Sequence, residues 1–253
     1  MLIEFLSDTR FLDYTEIIKH KPFPIKHHMP DWYKHIQTHI DRNRNQRTVK
    51  TCVPFMDALT SGYCIPLPFD LKVFKERDPK KPNTGSLSFE YGMIHTMFNN
   101  EVDFDDLGIG GHIQNQYEGM PIPEGCIDQA IKFIFPWHIK TPPGYSCLFT
   151  PPMNRERKYF EIISGIVDTD TYDGNVNFPA FLKDWDEKQG SYNDLLIPGG
   201  TPVVHVFPFK REPWKMKIAP KPKTWNVHKW KFQFFSDWAH NYRNKIWNKK
   251  DYK

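Results

Sequence analysis

The chain has 253 residues, of which 39% are hydrophobic and 25% charged, a balance that excludes both a disordered polyelectrolyte and a membrane-embedded protein. Proline at 22 outnumbers glycine at 14, which excludes a mostly helical body because proline removes a backbone donor and breaks helix interiors. The formal charge of +4, from 34 basic and 30 acidic residues, is too weak an excess to require nucleic acid as a partner.

In chain order, the N-terminal MLIEFLSDTR carries Glu4 and Asp8 and no long apolar run, so it does not read as a signal peptide. No stretch approaches the roughly 18 apolar residues of a spanning helix. The expected location is therefore inside the cell rather than secreted. FLDYTEIIKH suits a short helix or strand, and the proline-rich KPFPIKHHMP reads as extended chain. Asp31 offers an N-cap for a short helix over WYKHIQTHIDRN. His35 and His39 would share a face of that helix, but no third ligand accompanies them and no metal is expected.

From residue 51 the pattern changes. Leu67, Phe69, Leu71 and Val73 alternate with polar residues and proline, the period of a half-buried strand. RDPKKPNTGS reads as a turn, and SLSFEYGMIHTMF as another strand. NNEVDFDDLGIGGHIQNQYEGMPIPEG is acidic and glycine-rich. It fits neither a calcium loop nor a phosphate loop and is expected to be a solvated loop. IKFIFPWHIKTPPGYSCLFTPPMNR predicts strand, Pro-Pro-Gly turn, strand, with Gly144 supplying the positive φ of a type II turn. Two further strands are expected around Asp173-Gly174, and LLIPGGTPVVHVFPF predicts a Pro-Gly-Gly turn and an apolar strand. Ile166, Val167, Val176, Phe178, Val203, Val204 and Val206 are the expected core of this part.

Residues 210–225 form a basic, proline-rich strap. Beyond it Trp230, Phe234, Trp238, Tyr242 and Ile246 recur every fourth residue, predicting an amphipathic helix whose other faces carry Lys229, Lys231, Arg243, Lys245, Lys249 and Lys250. The expected organisation is an N-terminal extension (1–50), a β-rich body (51–209), the strap (210–225) and a C-terminal aromatic helix (226–253). The fold class is mainly β, a sandwich or barrel body with a short N-terminal and a C-terminal helix. The four cysteines, Cys52, Cys64, Cys126 and Cys147, have no two-residue spacing and read as reduced thiols.

Three segments in order, PPGYSCLFTPPMNR, GIVDTDTYDGNV and LLIPGGTPVVHVFPF, resemble motifs of the dUTPase and dCTP-deaminase superfamily, whose fold is the β-clip. The resemblance spans 67 residues, from Pro142 to Pro208. It implies that Asp168 aligns with the carboxylate that orients the attacking water and Tyr172 with the tyrosine that packs on the deoxyribose. It further implies a nucleotide site including Asn154, Arg155 and Asp170, Mg2+ if nucleotides are bound, and a homotrimer. Several residues depart from that pattern. Thr171 is inserted before the tyrosine. Pro152-Met153-Asn154 replaces the arginine–serine pair, with Arg155 and Arg157 displaced from it. The glycine-rich C-terminal motif and the zinc signature of nucleobase deaminases are absent. Asp168, Asp170 and Asp173 also suit a hairpin turn held by local side-chain to backbone hydrogen bonds.

Through MPDWYK, CVPFMDALTSGY, PPGYSCLFTPPMNR, SGIVDTDTYDGNVNFPAF and GGTPVVHVFPFKRE the whole chain resembles a family of uncharacterised bacterial and tailed-phage (cyanophage-like) proteins, a domain of unknown function. The expectation is a non-enzymatic phage-type protein on a β-clip scaffold, without cofactor, acting in virion assembly or host and partner interaction as a homo-oligomer. The alternative is a diverged nucleotide-binding protein or pyrophosphatase. A metal-dependent oxygenase is not supported, because no His-x-Asp pair is followed by a distant histidine.

Overall fold

The computed structural model describes residues 1–40, 46–77, 85–91, 107–185, 194–220 and 242–253. Among these, the N-terminal part holds β1 (Glu4–Leu6), α1 (Thr9–Leu12), α2 (Thr15–Lys19), β2 (Phe23–Pro24), α3 (Asp31–His35) and α4 (Val53–Thr60). A run of strands follows: β3 (Tyr63–Pro66), β4 (Leu71–Arg77), β5 (Gly85–Tyr91), β6 (Gly108–Gly111), β7 (Cys126–Ile134), β8 (His138–Lys140) and β9 (Tyr145–Thr150). It continues through β10 (Phe160–Ile162), β11 (Gly165–Val167), β12 (Phe178–Lys183), β13 (Asp194–Ile197) and β14 (Pro202–Lys210). The described chain is mainly β, as its proline content predicts. It divides into two compact units, Met1–Phe23 with Tyr63–Lys210, and Pro24–Gly62 with Arg211–Lys253.

The first unit is built from antiparallel sheets. One has the strand order β11-β9-β14-β3-β2, a second β10-β12-β7-β6, a third β13-β4-β5, and β1 pairs with β8. Strand alternation sends Cys147 and Phe149 of β9 and Val204 and Val206 of β14 to one face, where all are buried. Facing them are Phe133, Phe160 and Phe178 from the four-stranded sheet. The Phe149 and Phe178 rings meet at 5.4 Å, and Phe133 and Phe160 edge to face at 4.9 Å. Burial of each such side chain contributes about 1.5–3 kcal/mol, and the aromatic seam continues into the aliphatic cluster of Ile65, Leu67, Ile131 and Leu182.

The turns obey their glycines. The Tyr145 amide bonds the Pro142 carbonyl at 3.2 Å with Gly144 at φ 84°, the type II geometry expected of Pro143-Gly144. Gly200 has φ 81°, and a Cβ there would lie 2.9 Å from the His20 ring, so this turn admits only glycine.

Several expectations are corrected. The Asp31 side chain is not the cap of α3: Pro30 holds that position, and the Asp31 carboxylate instead accepts from Lys34 at 2.9 Å. The helix stops at His35, and His39 pairs in an isolated bridge with Arg47, so the two histidines share no helix face. Residues 53–60 are helical. Pro54 sits in the first turn, where a missing N–H costs nothing, and Gly62 at φ 85° follows the end. The glycine-rich segment 108–111 is strand β6, paired to β7 with Ile109 buried. The strands flanking Asp173-Gly174 do not form a hairpin, since β11 pairs with β9 while β12 pairs with β10 and β7. Ile166 is not core but 64% exposed, whereas Val176, Phe178, Val203, Val204 and Val206 are buried and Val167 packs against the core.

In the second unit Tyr33 stacks on Phe55 at 6.1 Å, and the Lys50 ammonium lies 4.6 Å from the Tyr33 ring centre. Trp230, Phe234 and Trp238 of the predicted aromatic helix lie outside the described residues. Tyr242–Ile246 is a single wide helical turn closed by the Trp247 amide on the Tyr242 carbonyl. Ile246, the last residue of the predicted stripe, is exposed. Its neighbour Trp247 makes the anchoring contact, donating Nε1–H to Asp57 Oδ2 at 2.9 Å, beside Lys250 Nζ at 2.7 Å.

Candidate functional site

Asp168, Asp170 and Tyr172 lie in one loop, residues 168–175, that leaves the edge strand β11. The first two carboxylates have structural partners. Asp168 Oδ1 accepts from the Ser146 hydroxyl at 2.6 Å, and Asp170 Oδ2 accepts from the Gly144 amide at 2.7 Å. Between them the buried Thr169 points inward, its hydroxyl 2.7 Å from that of Thr141 and 3.4 Å from Cys147 Sγ. The alternation Asp-Thr-Asp therefore puts two carboxylates outward and one hydroxyl inward, pinning the loop to the Pro142–Tyr145 turn from both sides.

Thr171, the residue inserted relative to the resembled motif, is accommodated as a turn. The Asp168 carbonyl accepts from the Thr171 amide at 3.0 Å and from the Tyr172 amide at 2.8 Å. Tyr172 is thereby taken off the strand. Its ring is exposed, its hydroxyl is directed at the Asn175 carbonyl at 3.4 Å, and a Cβ on Gly174 would lie 3.3 Å from that hydroxyl. The ring folds over its own loop.

Strand β8 supplies the second wall. His138 Nδ1 lies 2.9 Å from the Gly174 carbonyl and Lys140 Nζ donates to the Tyr172 carbonyl at 3.2 Å. Both also approach the exposed Asp173 carboxylate, at 3.9 and 3.8 Å. Beside this wall a cleft of about 360 Å³ is lined by Ser7, Asp8, Arg10, Phe11, His138 and Asn175. Ser7 Oγ is buried there with no hydrogen-bond partner among the described residues, and Arg10 pairs with Asp8 at 3.1 Å. Nothing in the local sequence marks His138, Lys140 or this cleft, because β8 meets the loop only through tertiary pairing.

Asn154 and Arg155 are placed elsewhere. Asn154 follows β9 at φ 54°, a left-handed position that asparagine tolerates. Arg155 is half-buried close to Cys64 on β3, and burial lowers its pKa from the ordinary guanidinium value. Two strands, β9 and β14, separate β3 from β11, a span of about 14 Å at the usual strand spacing. Cys64 lies opposite His205 in the β3–β14 register, and both are fully buried. Burial pushes the Cys64 thiol up to about 12 and the Cys147 thiol up to about 11, so neither is a thiolate nucleophile at neutral pH.

Among the described residues no group of three or more His, Cys, Asp or Glu side chains converges as a metal site, and no helix is long and apolar enough to cross a membrane. Comparison of the chain with protein-family models, with curated proteins and with solved structures finds no match in any of the three.

Proposed function

We propose that this chain is a non-enzymatic protein on a β-clip-like scaffold that acts by binding protein partners, in the manner of a phage assembly or attachment component in the host cytoplasm or the virion. The observation that carries this reading is the use of the loop carboxylates. Asp168 and Asp170 accept from Ser146 and from the Gly144 amide, and Tyr172 lies over its own turn, so the residues that would orient water and sugar in the resembled enzymes act here as a clasp. Homo-oligomerisation, a trimer by analogy with the resembled superfamily, belongs to the same reading. Mass spectrometry of purified particles tests it. Recovery of the chain at a fixed ratio to a structural protein supports an assembly role, and its complete absence from particles and from pelleted assemblies refutes it.

One observation favours a second reading, a diverged nucleotide-binding protein. The cleft bordered by His138 and Asn175 lies beside the same loop and is lined by the buried Ser7 hydroxyl, the Asn175 amide and the Arg10 guanidinium in its ion pair with Asp8. Among the described residues no group of three or more His, Cys, Asp or Glu side chains converges to cage Mg2+, and Asp168 and Asp170 each give one oxygen to Ser146 and to the Gly144 amide. A thermal-shift screen with deoxynucleotides separates the readings. A ligand at a hundred times its dissociation constant stabilises by roughly 2.7 kcal/mol. No shift and no pyrophosphate release are expected. A shift that disappears in His138→Ala would favour the nucleotide reading instead.

A further inference from the structure

Strand β8 lies between two segments that are distant in sequence. β1 pairs with it so that Leu6 stands opposite His138, and Asn175 forms an isolated bridge with His138 on the other edge. Ser7 follows Leu6 directly, so this pairing brings Ser7, His138 and Asn175 to one cleft of about 360 Å³. Every residue of its lining belongs to the first compact unit.

These three side chains have hydrogen-bonding capacity that the fold leaves unused. Ser7 Oγ is buried without a partner among the described residues. His138 places Nδ1 2.9 Å from the Gly174 carbonyl, so in the neutral ring that nitrogen carries the proton and Nε2 keeps its lone pair. Asp173 approaches Nε2 only to 3.9 Å, beyond hydrogen-bond reach. Asn175 gives its backbone to the bridge and its carbonyl to the Tyr172 hydroxyl, while its side-chain amide makes no hydrogen bond among the described residues. Unused polar groups of this kind are rare in a folded protein and call for an occupant.

The charges at the cleft cancel. Asp8 Oδ1 accepts from the Arg10 amide at 2.8 Å and Oδ2 from the Arg10 guanidinium at 3.1 Å, so the acid and the base answer each other. Phe11, the phenyl ring of the lining, is buried and offers no bare face for a nucleobase. What remains is a hydroxyl, an amide and an imidazole nitrogen beside the exposed aliphatic Leu6. Vicinal hydroxyls suit that set, because each can donate and accept. One can donate to Asn175 Oδ1 while its neighbour accepts from Nδ2, and a third can donate to His138 Nε2. The volume lies near the lower end of the roughly 300–1,000 Å³ range of small-molecule clefts, a size for one ring.

We infer that this cleft binds a neutral sugar ring, free or at the end of a glycan, through Asn175, His138 and Ser7. The Ser7 hydroxyl is closed to bulk water, and rotation about its Cα–Cβ bond between staggered wells turns it to a group seated in the cleft. Asn175 closes the loop that Asp168 and Asp170 hold in place, so its amide is presented from a fixed wall. The inference goes beyond the assembly reading: sugar binding and incorporation into particles are measured separately, and either stands without the other.

The test uses the full-length chain and saturation-transfer NMR with D-glucose, D-galactose and D-mannose. Transfer to at least one of them is expected. Asn175→Ala should weaken that binding at least about tenfold with an unchanged circular dichroism spectrum, because the amide has no protein partner to lose. Ser7→Ala should weaken it too, while the melting temperature stays level or rises, since the change removes a buried hydroxyl that makes no hydrogen bond. Tighter binding of an oligosaccharide that ends in the responding sugar identifies a glycan terminus as the source, and equal binding identifies the free sugar. Absence of transfer from all three sugars overturns the inference, as does binding that both variants leave unchanged. A deoxynucleotide thermal shift that is lost in Asn175→Ala, with no sugar bound, overturns it in favour of a nucleotide in the cleft. Absence of the chain from particles refutes the assembly reading and leaves the sugar result as it stands.

Discussion

The loop 168–175 and the strap 211–220 are opposites in composition and in the way they are held. The loop is polar, and its outward carboxylates Asp168 and Asp170 have protein partners within 2.7 Å. The strap alternates Trp214, Met216 and Ile218 with Lys215 and Lys217, and the three apolar side chains are about nine-tenths exposed. A reader looking for chemistry would choose the loop, where charge is concentrated. Physically the loop is the more satisfied of the two, because hydrogen-bonded carboxylates have exchanged water for protein donors. The strap carries surface whose burial would release free energy, and that is where association has most to gain.

The comparison can be broken or sharpened by substitution. The largest effect is expected from Asp168→Ala combined with Asp170→Ala, which removes both acceptors and leaves the Gly144 amide without its carboxylate. The loss should be about 2–3 kcal/mol, read as a lower denaturant midpoint with an unchanged slope. The corresponding pair of asparagines keeps an acceptor oxygen at each position and should recover most of that stability. If both double variants are as stable as the wild type, the loop is not a clasp and its carboxylates are available for another role.

A somewhat smaller effect is expected inside the clasp. Thr169→Val replaces a buried hydroxyl and removes its 2.7 Å contact with the Thr141 hydroxyl, which keeps the Tyr145 carbonyl at 3.3 Å as an acceptor. A loss of about 1–2 kcal/mol in chemical denaturation is expected, and Thr169→Ser should recover much of it. An unchanged midpoint in Thr169→Val would show that water replaces the contact freely.

Proton linkage is a weaker probe, and it acts away from both regions. Burial, reinforced by the positive charge of Lys132, holds His112 below the ordinary histidine value. Its ring stacks on Tyr117 at 6.1 Å. The unfolded chain therefore binds a proton at this position more readily than the folded chain does. Stability should be level above about pH 6.5 and fall as pH drops through that value toward the folded pKa. His112→Gln should flatten that part of the stability curve, and a curve that keeps its slope would assign the proton uptake to another group.

The smallest effect is expected from the strap. In dilute monomer, replacing Trp214, Met216 and Ile218 together by serine should change unfolding free energy by no more than about 0.5 kcal/mol, because exposed side chains away from special features contribute little. A loss of several kcal/mol would mean that the strap is part of the folded core rather than exposed surface.

How far the sequence could be read depends on the distance over which each feature is decided. The β class, the type II turn at Pro143-Gly144, the Pro-Gly-Gly turn before β14 and the buried valines Val203, Val204 and Val206 were all legible, since proline, glycine and period-two alternation act within a few residues. Pro54 sits in the first turn of α4, which accepts it without losing a hydrogen bond, so a proline there does not exclude a helix. Glycine-rich 108–111 reads as loop until β7 pairs with it. Whether Asp173-Gly174 closes a hairpin could not be read locally either, because β11 and β12 go to different sheets. The register with β9 turns Ile166 outward, though its composition is that of a core residue. The candidate site divides in the same way. Asp168, Asp170 and Tyr172 were visible as a motif, but their partners Ser146, Gly144, His138 and Lys140 come from β8, β9 and the turn between them. Side-chain types and local periodicity are properties of neighbours in sequence. Which strand lies beside which, and so whether a carboxylate meets a hydroxyl or water, is decided only when distant segments pair, and that pairing is what gives Asp168 the Ser146 hydroxyl and Asp170 the Gly144 amide.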